Sequence, residues 1–180
     1  MNAHSTSDKT LFDFQCAAAN SEWQIVNDDV MGGVSTARFE LSGGVAVFAG
    51  AVSLKNNGGF TSVRSPLACH SLGGSDGFVI RLRGDGLRYR FTVRTAIAFD
   101  TPLYQCAFVA KGGVWEEVRL SFRDFVPTFR GRVLADVPPL DPAKAASFGF
   151  LIADKQDGPF QLEIAWVRAR TLRRTCEVRL

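Results

Sequence analysis

Apolar and polar residues alternate along much of this chain, which is the period-2 pattern of β-strands with one buried face. From residue 78, Phe78, Ile80 and Leu82 share one phase while Arg81 and Arg83 fall in the other, and a similar alternation runs over residues 87–94. The intervening Gly84-Asp85-Gly86 consists of residues that favour tight reversals. The two segments therefore predict a β-hairpin with one apolar face and one basic face.

Two further segments, 115–122 and 160–170, show the same alternation. The apolar phase of the second segment comprises Phe160, Leu162, Ile164 and Trp166. Because alternate residues of a strand share one side of its sheet, we expect Trp166 to lie in the core.

Turn-forming clusters such as "NNGG" (56–59) and "QDGP" (156–159) divide the chain into about a dozen short strands. Helical periodicity is nowhere sustained for an interior helix, although residues 140–147 predict one or two helical turns. The sequence predicts an all-β fold, specifically a jelly-roll β-sandwich of two sheets. We expect a flexible N-terminal tail (1–10), a single domain (11–170) and a C-terminal extension (171–180).

The composition agrees with a globular domain that has an aromatic core. Hydrophobic residues make up 46% of the chain, 15 residues are Phe, and the net charge is only +3. So small a charge gives no reason to expect a nucleic-acid partner. No apolar stretch approaches the roughly 18 residues of a membrane span, and the N-terminus does not resemble a secretion signal. These features predict a cytoplasmic protein without a membrane span.

The four cysteines are widely separated and contain no CxxC pair. Without a secretion signal, the sequence favours reduced thiols in the core over disulfides. The cysteines are Cys16, Cys69, Cys106 and Cys176.

The segment "NDDVMGGVS" (27–35) is the most unusual part of the sequence, because it combines paired carboxylates with a double glycine. A structured turn would explain it, since Asn and Asp bond their own backbone and glycine accepts left-handed conformations. A calcium site with Asp28 or Asp29 as an oxygen ligand is the alternative, although the spacing is not that of an EF-hand loop. We assign no metal and no cofactor.

Catalytic arrangements are weak throughout the sequence. A glycosidase would need two carboxylates at a defined separation, for which the candidates are Asp28, Asp85, Glu117 and Glu163. The sequence has only two histidines, which gives little basis for a catalytic triad or a histidine-rich metal site. It also contains no nucleophile-elbow or phosphate-binding motif, so no other reaction is indicated. The chain is therefore predicted not to be an enzyme.

The basic face of the predicted hairpin is a candidate interaction surface. Its members are Arg81, Arg83, Arg88, Arg90 and Arg94. A solvated face with Glu117 or Glu163 nearby would explain these arginines, and so would a docking surface, where arginine is enriched. Tyr89, Tyr104 and Trp115 are candidate aromatic anchors.

Five ordered segments resemble the complex I intermediate-associated protein family. They are "WQIVNDDVMGGVSTARF" (23–39), "FTSVRS" (60–65), and the segments at 77–95, 115–132 and 148–167, within a resemblance from Leu11 to Ala169. The resemblance implies a galactose-binding-like jelly roll. It also implies a non-catalytic, chaperone-like assembly factor for respiratory NADH:ubiquinone oxidoreductase (complex I), which binds membrane-arm intermediates. Because the chain begins almost directly at the domain, it is expected to be a bacterial, domain-only member.

The sequence thus leaves two functions open. The first is binding to complex I subunits or assembly intermediates, and the second is binding of a carbohydrate on a concave sheet face lined by aromatic and polar side chains. The residues expected at the interaction surface are Asp28, Met31, Gly32, Gly33, Ser35, Arg64, Arg81, Arg83, Asp85, Tyr89, Trp115 and Gln156.

Overall fold

A computed structural model describes residues 8–16, 22–95 and 101–171, without the side chains of Val30 and Met31. These residues form thirteen β-strands and four short 3-10 turns. The strands are β1 (Lys9–Asp13), β2 (Gln24–Asn27), β3 (Thr36–Ser42), β4 (Val45–Val52), β5 (Thr61–Arg64), β6 (Ser75–Arg83), β7 (Arg88–Arg94), β8 (Leu103–Val109), β9 (Glu116–Ser121), β10 (Val126–Phe129), β11 (Arg132–Val133), β12 (Ser147–Ile152) and β13 (Gly158–Thr171). The 3-10 turns are Asp28–Met31, Lys55–Asn57, Phe122–Asp124 and Pro142–Lys144.

The strands form two antiparallel sheets. The first sheet has the order β3-β4-β13-β6-β9, and β1 also pairs with the long strand β13. The second sheet has the order β11-β10-β8-β7-β12-β5-β2. The predicted all-β class is confirmed, and the arrangement is a jelly-roll sandwich in which each sheet turns one face inward.

Aromatic rings from both sheets meet in the core between the inner faces. Phe91 of β7 stacks on Phe148 of β12, with ring centroids 6.0 Å apart, and Phe78 of β6 packs edge-on against both. Offset-stacked and edge-to-face contacts are the favourable arrangements for such rings. The alternating apolar residues of the sequence therefore lie on the inner faces of the two sheets.

The predicted hairpin is wrong, because β6 and β7 belong to different sheets. β6 pairs with β9 and β13, whereas β7 pairs with β8 and β12. The residues 84–86 cross from one sheet to the other. Alternation requires only that both apolar phases face the same core, and two strands on opposite sides of a sandwich satisfy that requirement as well as a hairpin does. The predicted stripe of five arginines is consequently divided between the two outer faces.

The expected core position of Trp166 is also wrong, and a β-bulge is the cause. Ile164 pairs with Leu82 and Trp166 pairs with Arg81, so that Ala165 is an extra residue in β13. An extra residue reverses the side to which the following side chains point. Val167 is therefore completely buried, whereas Trp166 lies on the outer face with the Arg168 guanidinium 4.0 Å from its ring centroid.

Other details of the prediction are confirmed or corrected by the described residues. The 3-10 turn Pro142–Lys144 confirms the short helical segment, and the Asp141 carboxylate caps it by accepting a hydrogen bond from the Ala143 N–H at 3.0 Å. Cys106 is the one described cysteine in the core, where burial and then the Asp124 carboxylate raise its pKa to about 11.

Two cysteines contradict the expectation of core thiols, since Cys16 and Cys69 are free but exposed. Cys176 lies outside the described residues, as does most of the predicted tail and C-terminal extension. Within the described part of the chain, no helix is long and apolar enough to cross a bilayer.

The bulge can be tested by placing glutamine at each of the two residues that follow Ala165, one pointing outward and one inward. We expect Val167→Gln to lower the free energy of unfolding by about 3–5 kcal/mol, because it buries an amide in an apolar site and removes a packed side chain. Trp166→Gln should cost about 1 kcal/mol or less, because its side chain remains on the outer face. Urea denaturation of both variants measures the difference, and the opposite ranking would place Trp166 in the core.

Candidate functional site

The "NDDVMGGVS" segment folds around the carboxylate of Asp28, which is completely buried. One carboxylate oxygen accepts a hydrogen bond from the Ser35 N–H at 3.1 Å. The other accepts bonds from the Ser35 hydroxyl at 2.6 Å, the Gly59 N–H at 2.7 Å and the Phe60 N–H at 3.3 Å. Asp28 therefore joins its own turn to the loop before β5.

The glycines of this segment, together with Gly58 in the loop before β5, are required for two different structural reasons. Gly32 has φ of +82°, a left-handed conformation that side chains with a Cβ rarely adopt. A Cβ on Gly33 would lie 2.2 Å from the Asp28 carboxyl carbon, and one on Gly58 would lie 2.5 Å from a carboxylate oxygen. Two of these glycines thus leave the space that the buried carboxylate fills.

The hydrogen bonds decide the charge state of Asp28. Burial by itself would raise the pKa of this carboxyl group, but the Ser35 hydroxyl and the three N–H donors together lower it below its usual value of 3.8. The ionised form is the one that accepts these bonds. The protein itself therefore supplies four hydrogen-bond donors to the two oxygens of Asp28.

The motif residues therefore shape a loop, which corrects the expectation that Asp28 and Ser35 contact a partner directly. Ser35 is also buried, and its hydroxyl accepts a hydrogen bond from the Ser53 N–H at 3.0 Å. Gly32 remains exposed, and Met31 belongs to the same 3-10 turn. A partner contact through Met31, Gly32 or Gly33 stays a prediction.

A second carboxylate, that of Asp85, stabilises the crossing between the two sheets. It accepts hydrogen bonds from the Leu87 N–H, the Tyr89 hydroxyl and the Gln161 N–H at 3.0, 2.9 and 2.7 Å. Tyr89 is completely buried, and burial followed by the Asp85 charge raises its pKa. Tyr89 is therefore a core residue, which corrects its assignment as a surface anchor.

Gln156 also has a local structural role. Its side chain accepts a hydrogen bond from the Arg88 N–H at 2.8 Å and donates one to the Arg88 carbonyl at 2.7 Å. The Gln156 amide thereby satisfies both the N–H and the carbonyl group of Arg88 at the start of β7. Tyr104 is only 6% exposed and donates to the Pro138 carbonyl, so it too is unavailable as an aromatic anchor.

The outer face of the first sheet carries a cluster of aromatic and basic side chains, here called the Trp–Arg face. It consists of Trp115, Trp166, Arg81, Arg83 and Arg168. The Trp115 ring centroid lies 5.1 Å from the Arg83 guanidinium carbon and 5.9 Å from that of Arg81. Because Arg81 pairs with Trp166 across the strands, the two tryptophans lie on either side of it. Each contact is within the range of a cation–π interaction.

Two glutamates lie beside arginines of this face, and one of them holds Arg83 by hydrogen bonds. Both Nε and Nη2 of Arg83 donate to one Glu163 carboxylate oxygen, at 2.9 and 2.6 Å. Glu117 lies opposite Arg81 in the strand pairing, with a nitrogen–oxygen distance of 3.9 Å. The acidic neighbours expected from the sequence are thus present for this pair of arginines. Sequence reasoning found Trp115, Arg81 and Arg83 but missed Trp166 and Arg168, because the bulge gives no clear sequence signal.

The outer face of the second sheet carries the remaining arginines of the predicted stripe, together with Arg64. Arg90 donates to Gln105 at 2.8 Å and forms an ion pair with Asp154. Arg64 lies on β5, one strand beyond β12, and forms no ion pair with any carboxylate in the described residues. Arg64 and the Trp–Arg face are therefore on opposite sides of the sandwich.

Each of the four candidate carboxylates has partners within the protein. Asp28 and Asp85 each accept several hydrogen bonds from the protein, while Glu117 and Glu163 pair with arginines on the Trp–Arg face. Within the described ranges, no group of three or more His, Cys, Asp or Glu side chains is placed to hold a metal ion.

Asp28→Asn tests the buried carboxylate. An amide supplies one acceptor oxygen and turns an N–H₂ group toward donors, so we expect the free energy of unfolding at pH 7 to fall by about 2–4 kcal/mol. Because the folded pKa is lowered, the carboxylate stabilises the fold above its unfolded pKa and ceases to do so as pH falls through the lower, folded value. The difference between wild type and variant should therefore shrink below about pH 4.

Urea denaturation at pH 7 and at pH 3 measures both effects. Asp29→Asn is the matched control, since Asp29 is the exposed neighbour in the same turn, and it should change stability far less. An equal loss in the two variants, or a difference that grows at low pH, would contradict this role for Asp28.

Solved structures share this architecture. A family 11 carbohydrate-binding module of the cellulosomal cellulase Lic26A-Cel5E from Clostridium thermocellum aligns with a TM-score of 0.70 over 94% of this chain and 98% of that chain, at 14% identity. The agarase AgWH50C aligns with a TM-score of 0.62 over 92% of this chain and 25% of its own, at 11% identity. At such low identity these matches show the shared galactose-binding-like fold alone.

Sequence relatives are more specific. "Complex I intermediate-associated protein 30, mitochondrial" of Drosophila melanogaster is 28% identical over 180 residues, which are 87% of this chain and 61% of that protein. The Mus musculus protein of the same name is 36% identical over 92 residues, or 49% of this chain and 28% of its own length. The matches thus cover less than two thirds of either relative. The family model for complex I intermediate-associated protein 30 (CIA30) matches residues 12–164, and the chain therefore belongs to the CIA30 family.

Proposed function

We propose that this chain is a non-catalytic protein-binding domain that assists assembly of respiratory complex I, in the manner of a chaperone. Membership of the CIA30 family supports a role in complex I assembly, since the relatives are named as complex I intermediate-associated proteins. The observation that carries the proposal is the Trp–Arg face, which would bind a subunit or an assembly intermediate.

The composition of the Trp–Arg face suits protein recognition. Tryptophan and arginine are the residue types most enriched among those that dominate binding energy at protein interfaces. On the Trp–Arg face each tryptophan ring contacts an arginine: Arg83 lies beside Trp115, and Arg168 lies over Trp166. A partner that covers them would remove two large rings from water and gain charged donors for its carboxylates.

The face is also preorganised for binding. The bonds from Arg83 to Glu163 hold its guanidinium in place before a partner arrives. A side chain that is already fixed loses less conformational entropy on binding, so more of the contact energy contributes to affinity. The net positive charge of the cluster favours a partner surface that combines acidic with apolar side chains.

Carbohydrate binding is the second candidate, and it rests on the fold shared with carbohydrate-binding modules. The expected groove of Tyr89, Tyr104 and Trp115 is not formed, because both tyrosines are buried. Sugar stacking would instead require Trp115 or Trp166, whose rings are in contact with arginines. The geometry therefore favours a protein partner, and a glycan array with the wild-type chain tests the alternative.

The place of action remains part of the proposal. The sequence predicts a cytoplasmic protein, whereas the relatives are named as mitochondrial. Fractionation of cells that express the chain at its natural level, with antibody detection in each fraction, distinguishes the two compartments.

A complementation experiment tests the proposed function. In a strain that lacks this chain, we expect assembled complex I to decrease, and the wild-type chain to restore it. The double variant Trp115→Ala/Arg168→Ala should restore it poorly, because it removes one ring and one cation from the proposed interface; the loss of affinity should be about tenfold or more. Blue-native gels with NADH dehydrogenase staining measure the amount of complex I.

Arg38→Ala is the matched control, since Arg38 is an exposed arginine on β3 of the same sheet and pairs with Glu40. It should restore complex I fully, and thermal denaturation should show that all variants are folded. Unchanged complex I in the deletion strain would contradict the assembly role. Full restoration by the folded double variant would instead exclude the Trp–Arg face as the interface.

A further inference from the structure

Arg119 adds one more cation at the border of the Trp–Arg face. It lies on β9 directly opposite Val79 of β6, and Val79 is in turn opposite Arg168 of β13. Directly paired residues of neighbouring strands point to the same side of a sheet, so these three residues form one row on the outer face. The two arginines are two strands apart, which places their Cα atoms about 10 Å from each other.

Val79 forms a closed apolar floor in the middle of this row. It points outward, as the pairing requires, yet only 4% of it is exposed. The side chains around Val79 must therefore cover it, and its directly paired neighbours are the two arginines. Arginine covers apolar surface with its methylene groups while its guanidinium group stays at the surface. A partner would thus meet the two guanidinium groups at the surface, without entering a cavity.

The arginines of this row have no carboxylate partner in the described part of the chain. The other two arginines of the Trp–Arg face each lie beside a glutamate. Arg168 instead lies over the Trp166 ring, and its Nε–H is buried without a hydrogen-bond acceptor. Arg119 is exposed to water. The row therefore offers two cationic donor groups to a carboxylate from another molecule.

We propose that the partner of the Trp–Arg face is an acidic protein segment, whose carboxylates accept hydrogen bonds from Arg119 and Arg168 while its apolar side chains pack beside the tryptophan rings. This inference rests on the proposed protein-binding function and names the chemistry of the partner. Guanidinium groups offer paired N–H donors whose spacing matches the oxygens of a carboxylate. Apolar contacts around such bonds exclude water, and the bonds are stronger for it.

The mixed charges of this face favour a protein segment over an anionic lipid surface. Glu117 and Glu163 lie among the arginines, and a uniform layer of negative headgroups would repel them. A protein segment can instead place carboxylates at the row of Arg119 and Arg168 and uncharged side chains above the glutamates. The chain's net charge of +3 is also small for attraction to an anionic membrane.

Site-specific photocrosslinking of the full chain in cells tests the chemistry of the partner. The photoreactive residue p-benzoylphenylalanine takes the place of Thr10, which is exposed and lies opposite Arg168 in the pairing of β1 with β13. Mass spectrometry of the crosslinked peptide then identifies the segment that lies against the row. We expect a protein segment in which Asp or Glu residues stand next to apolar ones. A segment without acidic residues, or no crosslinked protein at all, would overturn the proposal.

Charge reversal shows whether the arginines hold that segment. Arg119→Glu should reduce the crosslink at least tenfold, because it sets a like charge against the partner's carboxylates, and Arg119→Glu/Arg168→Glu should abolish it. Arg132→Glu is the matched control, since Arg132 is an exposed arginine on β11 of the second sheet with no described ion pair, and it should crosslink as wild type does. Thermal denaturation checks that each variant is folded. The exposed position of Arg119 makes the single variant decisive if the double variant is unstable.

The identity of the crosslinked protein separates this inference from the assembly role. An acidic segment of a complex I subunit or assembly intermediate supports both. An acidic segment of another protein, lost in Arg119→Glu, supports the inference and contradicts the assembly role. A crosslink that Arg119→Glu leaves unchanged overturns the inference, even where the wild-type chain restores complex I. Cosedimentation of the purified chain with phosphatidylserine–phosphatidylcholine vesicles, if Arg119→Glu abolishes it, would also overturn the inference, because lipid would then be the ligand of this row.

Discussion

Each sheet of this protein has one apolar face, and the two apolar faces pack against each other. Their side chains, many of them aromatic, form the core between the sheets. Burial of such surface contributes about 25 cal/mol per Å² and is the largest contribution that favours folding. Phe78, Phe91 and Phe148 meet in that core and come from both sheets. Once these rings are inside, alternation along each strand determines which side chains remain outside, and therefore where ligands and partners can bind.

Two carboxylates complete the framework at positions where the backbone changes direction. Asp28 joins the turn after β2 to the loop before β5, and Asp85 joins the crossing between β6 and β7 to β13. Both satisfy backbone N–H groups that the strand pairing leaves without partners. The family's most recognisable segment is thus explained by a buried hydrogen-bond network, and its glycines by the space and the left-handed turn that this network needs.

The two outer faces differ in the groups that accompany their arginines. On the first sheet, glutamates and tryptophan rings accompany Arg81 and Arg83, which gives a fixed surface suited to a large partner. On the second sheet, Arg90 pairs with Asp154 and donates to Gln105, whereas Arg64 forms no ion pair with any described carboxylate. The sandwich keeps the two surfaces apart, so each can be altered without direct contact with the other.

The sequence by itself determined the all-β class, the short strands and their turns, the aromatic core and the family. It did so because period-2 alternation, glycine-rich turns and ordered motifs are local properties of the chain. It did not determine which strands pair, because alternation specifies the side on which a residue lies but not the neighbour of its strand. Tertiary structure therefore decided that the arginine stripe is split and that Tyr89 is buried. It also decided that the single extra residue Ala165 turns Trp166 outward, which assembles the Trp–Arg face.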